Sequence, residues 1–168
     1  LPGNSLEICC MHLDKGQMWI GTTTDGAYRL QLDKNELTHP ILKGNITSIY
    51  QDSEGELWIG SWEEGLHHVK TDGTIEIFEY DAKNPYSISS NFVRACCEDN
   101  LGNIWIGTFN GLNRYDKSTG LFQNHTASDA QSDGLTHSSI WCIVKDNQGT
   151  LWLGTYFGGV NYFNPEYE

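Results

Sequence analysis

Apolar residues in this chain fall in short runs that recur in the same order. Four runs, Ile8 to Leu13, Ile46 to Tyr50, Val93 to Cys97 and Ile140 to Val144, are largely apolar at both alternating sets of positions. A strand with that pattern is covered on both faces. Each is followed by a short polar stretch and then by a run centred on tryptophan: Met18-Trp19-Ile20-Gly21-Thr22, Leu57-Trp58-Ile59-Gly60-Ser61, Ile104-Trp105-Ile106-Gly107-Thr108 and Leu151-Trp152-Leu153-Gly154-Thr155. Apolar and β-branched neighbours around a glycine that weakens a helix make this second run a strand too. A third strand is predicted at Ala27 to Gln31, Leu66 to Lys70, Leu112 to Asp116 and Val160 to Asn164, and a fourth at Leu37 to Leu42, Ile75 to Tyr80 and Leu121 to His125. We denote the four strands of each unit A, B, C and D. Pro40 falls in a D segment, where its missing donor is tolerated only at an edge, so D is the outer strand.

The tryptophans stand 39, 47 and 47 residues apart, a period that signals a solenoid or a propeller. Between A and B lie Asp52-Ser-Glu-Gly55, Asp99-Asn-Leu-Gly102 and Asp146-Asn-Gln-Gly149, with a shorter Asp14-Lys15-Gly16 in the first unit. Aspartate opening and glycine closing such a stretch is turn chemistry: the carboxylate accepts local N–H groups and glycine supplies positive φ. A calcium loop would need more alternating oxygen ligands and a closing glutamate. Four hairpin-linked strands followed by a longer link describe a propeller blade. The reading is therefore all-β: one segment, residues 1–168, of four blades spanning about 5–42, 45–80, 91–125 and 139–168, the last without a D strand. Four repeats, the last incomplete, predict a partial propeller or a ring completed by oligomerisation, with two chains sharing eight blades as a dimer.

Composition fits this architecture. Eighteen glycines against four prolines suit many tight turns, and 12% aromatic with 19% charged residues excludes a disordered chain. A formal charge of −12 repels a phosphate backbone and an anionic membrane face, so neither nucleic acid nor membrane is expected as a partner of this segment. No apolar stretch reaches the length of a membrane span, and no basic and apolar leader is present; the chain reads as a piece of something longer. Five cysteines, at 9, 10, 96, 97 and 142, make a poor disulfide framework and are expected to be small buried residues. Six histidines lack metal-ligand spacing, so no metal and no cofactor is predicted.

Strand parity puts the B-to-C turns and the D-to-A links at one end of every blade. That end carries the variable residues Trp62, Glu63, Glu64, Phe109, Asn110, Tyr156 and Phe157, with Tyr86 and His137 on the long links. Loops on a rigid scaffold are where binding residues concentrate, and exposed rings beside carboxylates and amides suit a sugar. The alternative is that these rings pack against the next blade. A second candidate is the A-strand position held by Cys9, Thr47, Arg94 and Trp141, placed to edge a central channel. Arg94 beside Trp141 suits an acidic sugar, by bidentate pairing and stacking, whereas a purely structural Arg94 would pair with a carboxylate. Trp19, Trp58, Trp105 and Trp152, Gly21, Gly60, Gly107 and Gly154, and Asp52, Asp99 and Asp146 recur in one context and read as framework. No catalytic residue is predicted, since no nucleophile elbow or oxyanion feature accompanies the histidines.

The third unit, Asn84-Pro-Tyr-Ser-Ile-Ser-Ser-Asn91, then Val93, Asp99, Gly102, Ile104-Trp-Ile-Gly-Thr108 and Gly111-Leu-Asn-Arg-Tyr-Asp116, resembles the two-component regulator propeller repeat. The resemblance extends over essentially the whole chain, weakest in the first unit. It implies a periplasmic sensing propeller of a hybrid two-component system of Bacteroides type, coupled across a membrane to a histidine kinase and responding to oligosaccharides. Kinase activity and DNA binding belong to parts outside these residues. The expected function is a non-catalytic, ligand-sensing segment for oligosaccharides; the alternatives are a protein-interaction scaffold or, less in keeping with the residues, a propeller lyase or hydrolase using His137, Glu63 or Glu64.

Overall fold

The computed structural model describes residues 7–38, 40–127 and 134–167. The described residues form fifteen strands and no helix, in four small antiparallel sheets arranged as propeller blades. Blade 1 contains β1 (Ile8–Asp14), β2 (Gln17–Thr22), β3 (Ala27–Gln31) and β4 (Glu36–Leu37). Blade 2 contains β5 (Ile46–Gln51), β6 (Leu57–Ser61), β7 (Leu66–Val69) and β8 (Ile75–Phe78). Blade 3 contains β9 (Val93–Glu98), β10 (Ile104–Thr108), β11 (Gly111–Asp116) and β12 (Leu121–His125), and blade 4 has β13 (Ile140–Lys145), β14 (Leu151–Thr155) and β15 (Val160–Phe163). Within each sheet the strands lie in chain order. The predicted D strand of blade 1 is cut short: β4 ends at Leu37, and beyond it the described residues form isolated bridges, Ala27 with Leu42 and Asp25 with Gly44, since Pro40 offers no donor to a ladder. Residues 5 and 6, His39 and 128–133 of the last long link lie outside the described residues.

The A-to-B turn is built as the sequence requires, with one addition. The Asp52 Oδ1 accepts the N–H of Glu54 (3.0 Å) and of Glu56 (2.9 Å), while Gly55 takes φ 85°. The other oxygen, Oδ2, accepts the indole N–H of Trp58 at 2.9 Å. Asp99 does the same for Trp105 at 2.7 Å and Asp146 for Trp152 at 2.9 Å. Turn and strand B are thus locked together by one carboxylate. In blade 1 the shorter turn cannot reach, and Trp19 donates instead to Gln51 Oε1 of blade 2 at 3.2 Å. The hydroxyl that ends each B strand closes the following turn: Thr22, Ser61, Thr108 and Thr155 donate to the carbonyls of Gly26, Gly65, Gly111 and Gly159 at 2.9 to 3.0 Å.

The hydrophobic cores lie between blades rather than within them. One joins Trp19 and Ala27 to Ile46, Ile49, Leu57 and Ile59; a second joins Trp58 and Leu66 to Val93, Cys96, Ile104 and Ile106; a third joins Trp105 and Leu112 to Ile140, Ile143, Leu151 and Leu153. Burial of a stripe on each sheet against the next is what makes the stack radial. The innermost strands pack in series, β1 on β5, β5 on β9 and β9 on β13, with no comparable packing of β13 on β1 among the described residues. The expectation that every A strand is covered on both sides holds for β5 and β9 and fails at the ends: Met11 and Leu13 on β1 and Val144 on β13 are exposed, for want of a neighbouring blade.

A polar latch supports the second core at the end opposite the rim. Lys117 of blade 3 reaches back to Asp52 and Glu54 of blade 2, 3.0 Å from each, and Ser53 donates through N–H and O–H to Glu98. Burial works against the Asp52 charge, yet the hydrogen bonds from Trp58 and Lys117 hold its carboxyl below the usual range. The cysteines only partly meet expectation. All five are free; Cys96 and Cys97 are buried, which pushes their thiols up to about 12 and about 11, but Cys9 and Cys142 are exposed because their blades are terminal.

Candidate functional site

The equivalent A-strand positions Cys9, Thr47, Arg94 and Trp141 converge, one from each blade, on a single cavity of about 450 Å³, with Thr23, Asn45 and Trp62 at its mouth. Convergence follows from the register, because each of these residues directly follows the first residue of strand A or, for Cys9, of β1. The position also stitches blades together where its side chain is small. Thr47 Oγ1 donates to the carbonyl of Val93 at 2.5 Å, and the Cys9 thiol donates to that of Ile46.

Arg94 lies between two indoles. Its guanidinium carbon sits 4.2 Å from the Trp62 ring centroid and 4.0 Å from that of Trp141. Trp62 is held from behind by Phe92, edge-on at 5.5 Å, and Trp141 by Tyr156, stacked at 5.3 Å. The backbone fixes these rings: the N–H of Trp62, Phe109 and Tyr156 each donates to the carbonyl before strand A of its own blade, at 3.0 Å. Among the described residues no carboxylate pairs with Arg94, in contrast to the structural alternative of an Arg94 ion pair. Its buried Nε has no hydrogen-bond partner. Burial between the rings disfavours the charge and draws the guanidinium below the ordinary arginine range, with Tyr156 as the opposing influence. Stacked faces leave the edge of the fork as the direction in which Arg94 can bind, and that edge matches a carboxylate or sulfate bidentately.

The other predicted rim residues are distributed more widely. Phe109, Tyr156 and Phe157 are exposed at the expected end, Phe109 against Phe92 at 6.2 Å and Phe157 against Tyr156 at 4.3 Å. His137 lies beside Phe157 and its Nδ1 accepts the N–H of Ser139, outside the cavity. Asn110 donates its N–H to Thr108, and Glu64 its N–H to Ser61; these are turn roles, and Glu63 and Glu64 point no carboxylate into the cavity lining. Tyr86 is elsewhere. Its link runs along the outer strand, where the Tyr86 carbonyl accepts the N–H of Phe122, and its ring borders a separate hollow with Arg114 and Asp116.

Sequence comparison adds the family. A two component regulator propeller model matches residues 40–63, 87–110 and 134–157. Three of the four units thus carry the two component regulator propeller repeat. No curated protein sequence matches. Among solved structures, the regulator propeller resembles the extracellular domain of a hybrid two component system from B. thetaiotaomicron, with 22% identity and a TM-score of 0.61 over 96% of this chain and 28% of that one. It also resembles a streptogramin B lyase, with 16% identity and a TM-score of 0.66 over 97% of this chain and 56% of that one. A third similar structure is the computationally designed Ika4 protein, with 16% identity and a TM-score of 0.65 over 98% of this chain and 94% of that one. At these identities the likeness is one of fold. The chain spans little more than a quarter of the length of the two-component relative.

Proposed function

We propose that this regulator propeller segment is a non-catalytic, ligand-binding part of an extracytoplasmic sensor in a hybrid two-component system, and that its ligand is an acidic oligosaccharide gripped at Arg94. The family repeat and the extracellular placement of the two-component relative support the sensor role and a periplasmic location. The observation that carries the ligand class is the Arg94 guanidinium, stacked between Trp62 and Trp141 and paired with no carboxylate, in a chain whose formal charge is −12. A sugar ring stacks by its C–H face on the exposed part of either indole while its carboxylate meets the fork.

Isothermal titration of the chain with a hexuronate oligosaccharide and with a neutral oligosaccharide of equal length tests this. Binding is expected for the first and not the second. Arg94→Gln should weaken it by about 10- to 100-fold, the worth of a hydrogen bond to a charged group, and Trp62→Ala should also weaken it. Absence of heat with every glycan favours a protein-interaction scaffold instead, and new reducing ends or unsaturated products on incubation would make the segment an enzyme.

A further inference from the structure

The cavity that holds Arg94 is lined toward blades 1 and 2 by groups whose protons are already in use. The Thr47 hydroxyl donates to the carbonyl of Val93 at 2.5 Å, and that of Thr23 to Oε2 of Glu7 at 3.1 Å. The Cys9 thiol donates to the carbonyls of Ile46 and Gly21. Carbonyl and carboxylate oxygens only accept, so each bond fixes where the proton points. A hydroxyl has one proton and two lone pairs. What Thr23 and Thr47 keep for a ligand is therefore acceptor capacity alone, and the Cys9 sulfur is a weak acceptor of the same kind.

Arg94 is the reverse. Its guanidinium carries donors and no acceptor, and its buried Nε has no partner. The two kinds of group are adjacent, because the carbonyl that Thr47 holds belongs to the peptide leading into Arg94. Asn45, whose carbonyl accepts the N–H of Trp62 at 3.0 Å, adds an exposed side-chain amide that serves either way. A ligand anion bound at Arg94 thus needs O–H groups beside it, since ether or ester oxygens in that place would face the lone pairs of Thr47 with no proton between them.

We propose that Thr47, with Thr23 behind it, reads free hydroxyls on the acidic sugar, so that the cavity takes a uronate with unsubstituted hydroxyl groups and discriminates against its O-substituted form. The proposal rests on the reading of Arg94 as the group that binds the sugar carboxylate, and it adds the half of the recognition that Arg94 cannot supply. The chemistry is that of a site built to pair with a substrate O–H, which leaves its own buried polar groups unpaired when that O–H is missing.

Titration calorimetry with two ligands tests it: a hexuronate oligosaccharide, and the same oligosaccharide with its hydroxyls O-methylated and its carboxylates free. The unaltered chain should bind the first about tenfold more tightly. Thr47→Val keeps the shape of the side chain and removes the lone pairs, so it should weaken only the free-hydroxyl ligand and reduce the preference severalfold. Thr47→Ser should retain the preference. A preference that persists undiminished in Thr47→Val is steric rejection of the methyl groups and overturns the proposal. Equal weakening of both ligands, as loss of the bond to the Val93 carbonyl alone would cause, also overturns it. Equal affinity of the unaltered chain for the two ligands overturns it while leaving the role of Arg94 intact, and binding of neither overturns both.

Discussion

Trp58→Ala is expected to cost about 3–5 kcal/mol of stability, as removal of a large buried aromatic side chain does. Trp58 is completely buried, stacked on His68 at 3.9 Å and against Tyr115 of the next blade at 5.1 Å. Its loss leaves a cavity in the core between blades 2 and 3 and removes one of the donors to the Asp52 carboxylate. At about 2–4 °C per kcal/mol for a chain of this size, the melting midpoint should fall by roughly 10 °C. Trp152→Ala should cost less than half as much, because among the described residues no following blade covers that ring. Equal losses from the two substitutions, measured by urea unfolding, would contradict the assignment of each tryptophan to the interface with its successor.

Gly107→Val should be nearly as damaging, for the opposite reason. A side chain at this position meets Ile140 Cγ2 at 2.7 Å and Ile140 Cβ at 3.1 Å, so blade 4 must move off blade 3. Overpacking of a well-filled core typically costs about 1–3 kcal/mol, and here the third core, with Ala95, Leu151 and Leu153, opens with it. Gly154→Val, the same change in blade 4, encounters only the Cys142 thiol among the described residues, so it should cost less. Thermal melts on the two variants check this: the midpoint should fall clearly for Gly107→Val and less for Gly154→Val.

Much of the fold could be read from the spacing of residues. The Trp-Ile-Gly-Thr unit fixes strand B, the aspartate and glycine fix the turn before it, and alternation assigns the remaining strands to within a residue or two, except the outer strand of blade 1, which stops at Leu37. The bond from Asp52 to Trp58 was not foreseen, though its signal was present: aspartate precedes tryptophan by the same interval in blades 2, 3 and 4 and by one residue less in blade 1, where the bond is missing. At the candidate site, register alone brought Arg94 and Trp141 together. It could not show Trp62 closing on the other face of the guanidinium, because that depends on a rotamer set by Phe92 in the following blade. Tyr86 was misplaced for a related reason: the path of a long link is decided by its tertiary hydrogen bonds, here from Asn124 to the Ser87 carbonyl and from Phe122 to that of Tyr86, and not by strand parity.

The most direct measurement is a crystal structure of the chain grown with a hexuronate oligosaccharide. The account predicts a sugar carboxylate within hydrogen-bonding distance of the Arg94 guanidinium, between Trp62 and Trp141. A sugar bound on another surface with the Arg94 edge left free would contradict it.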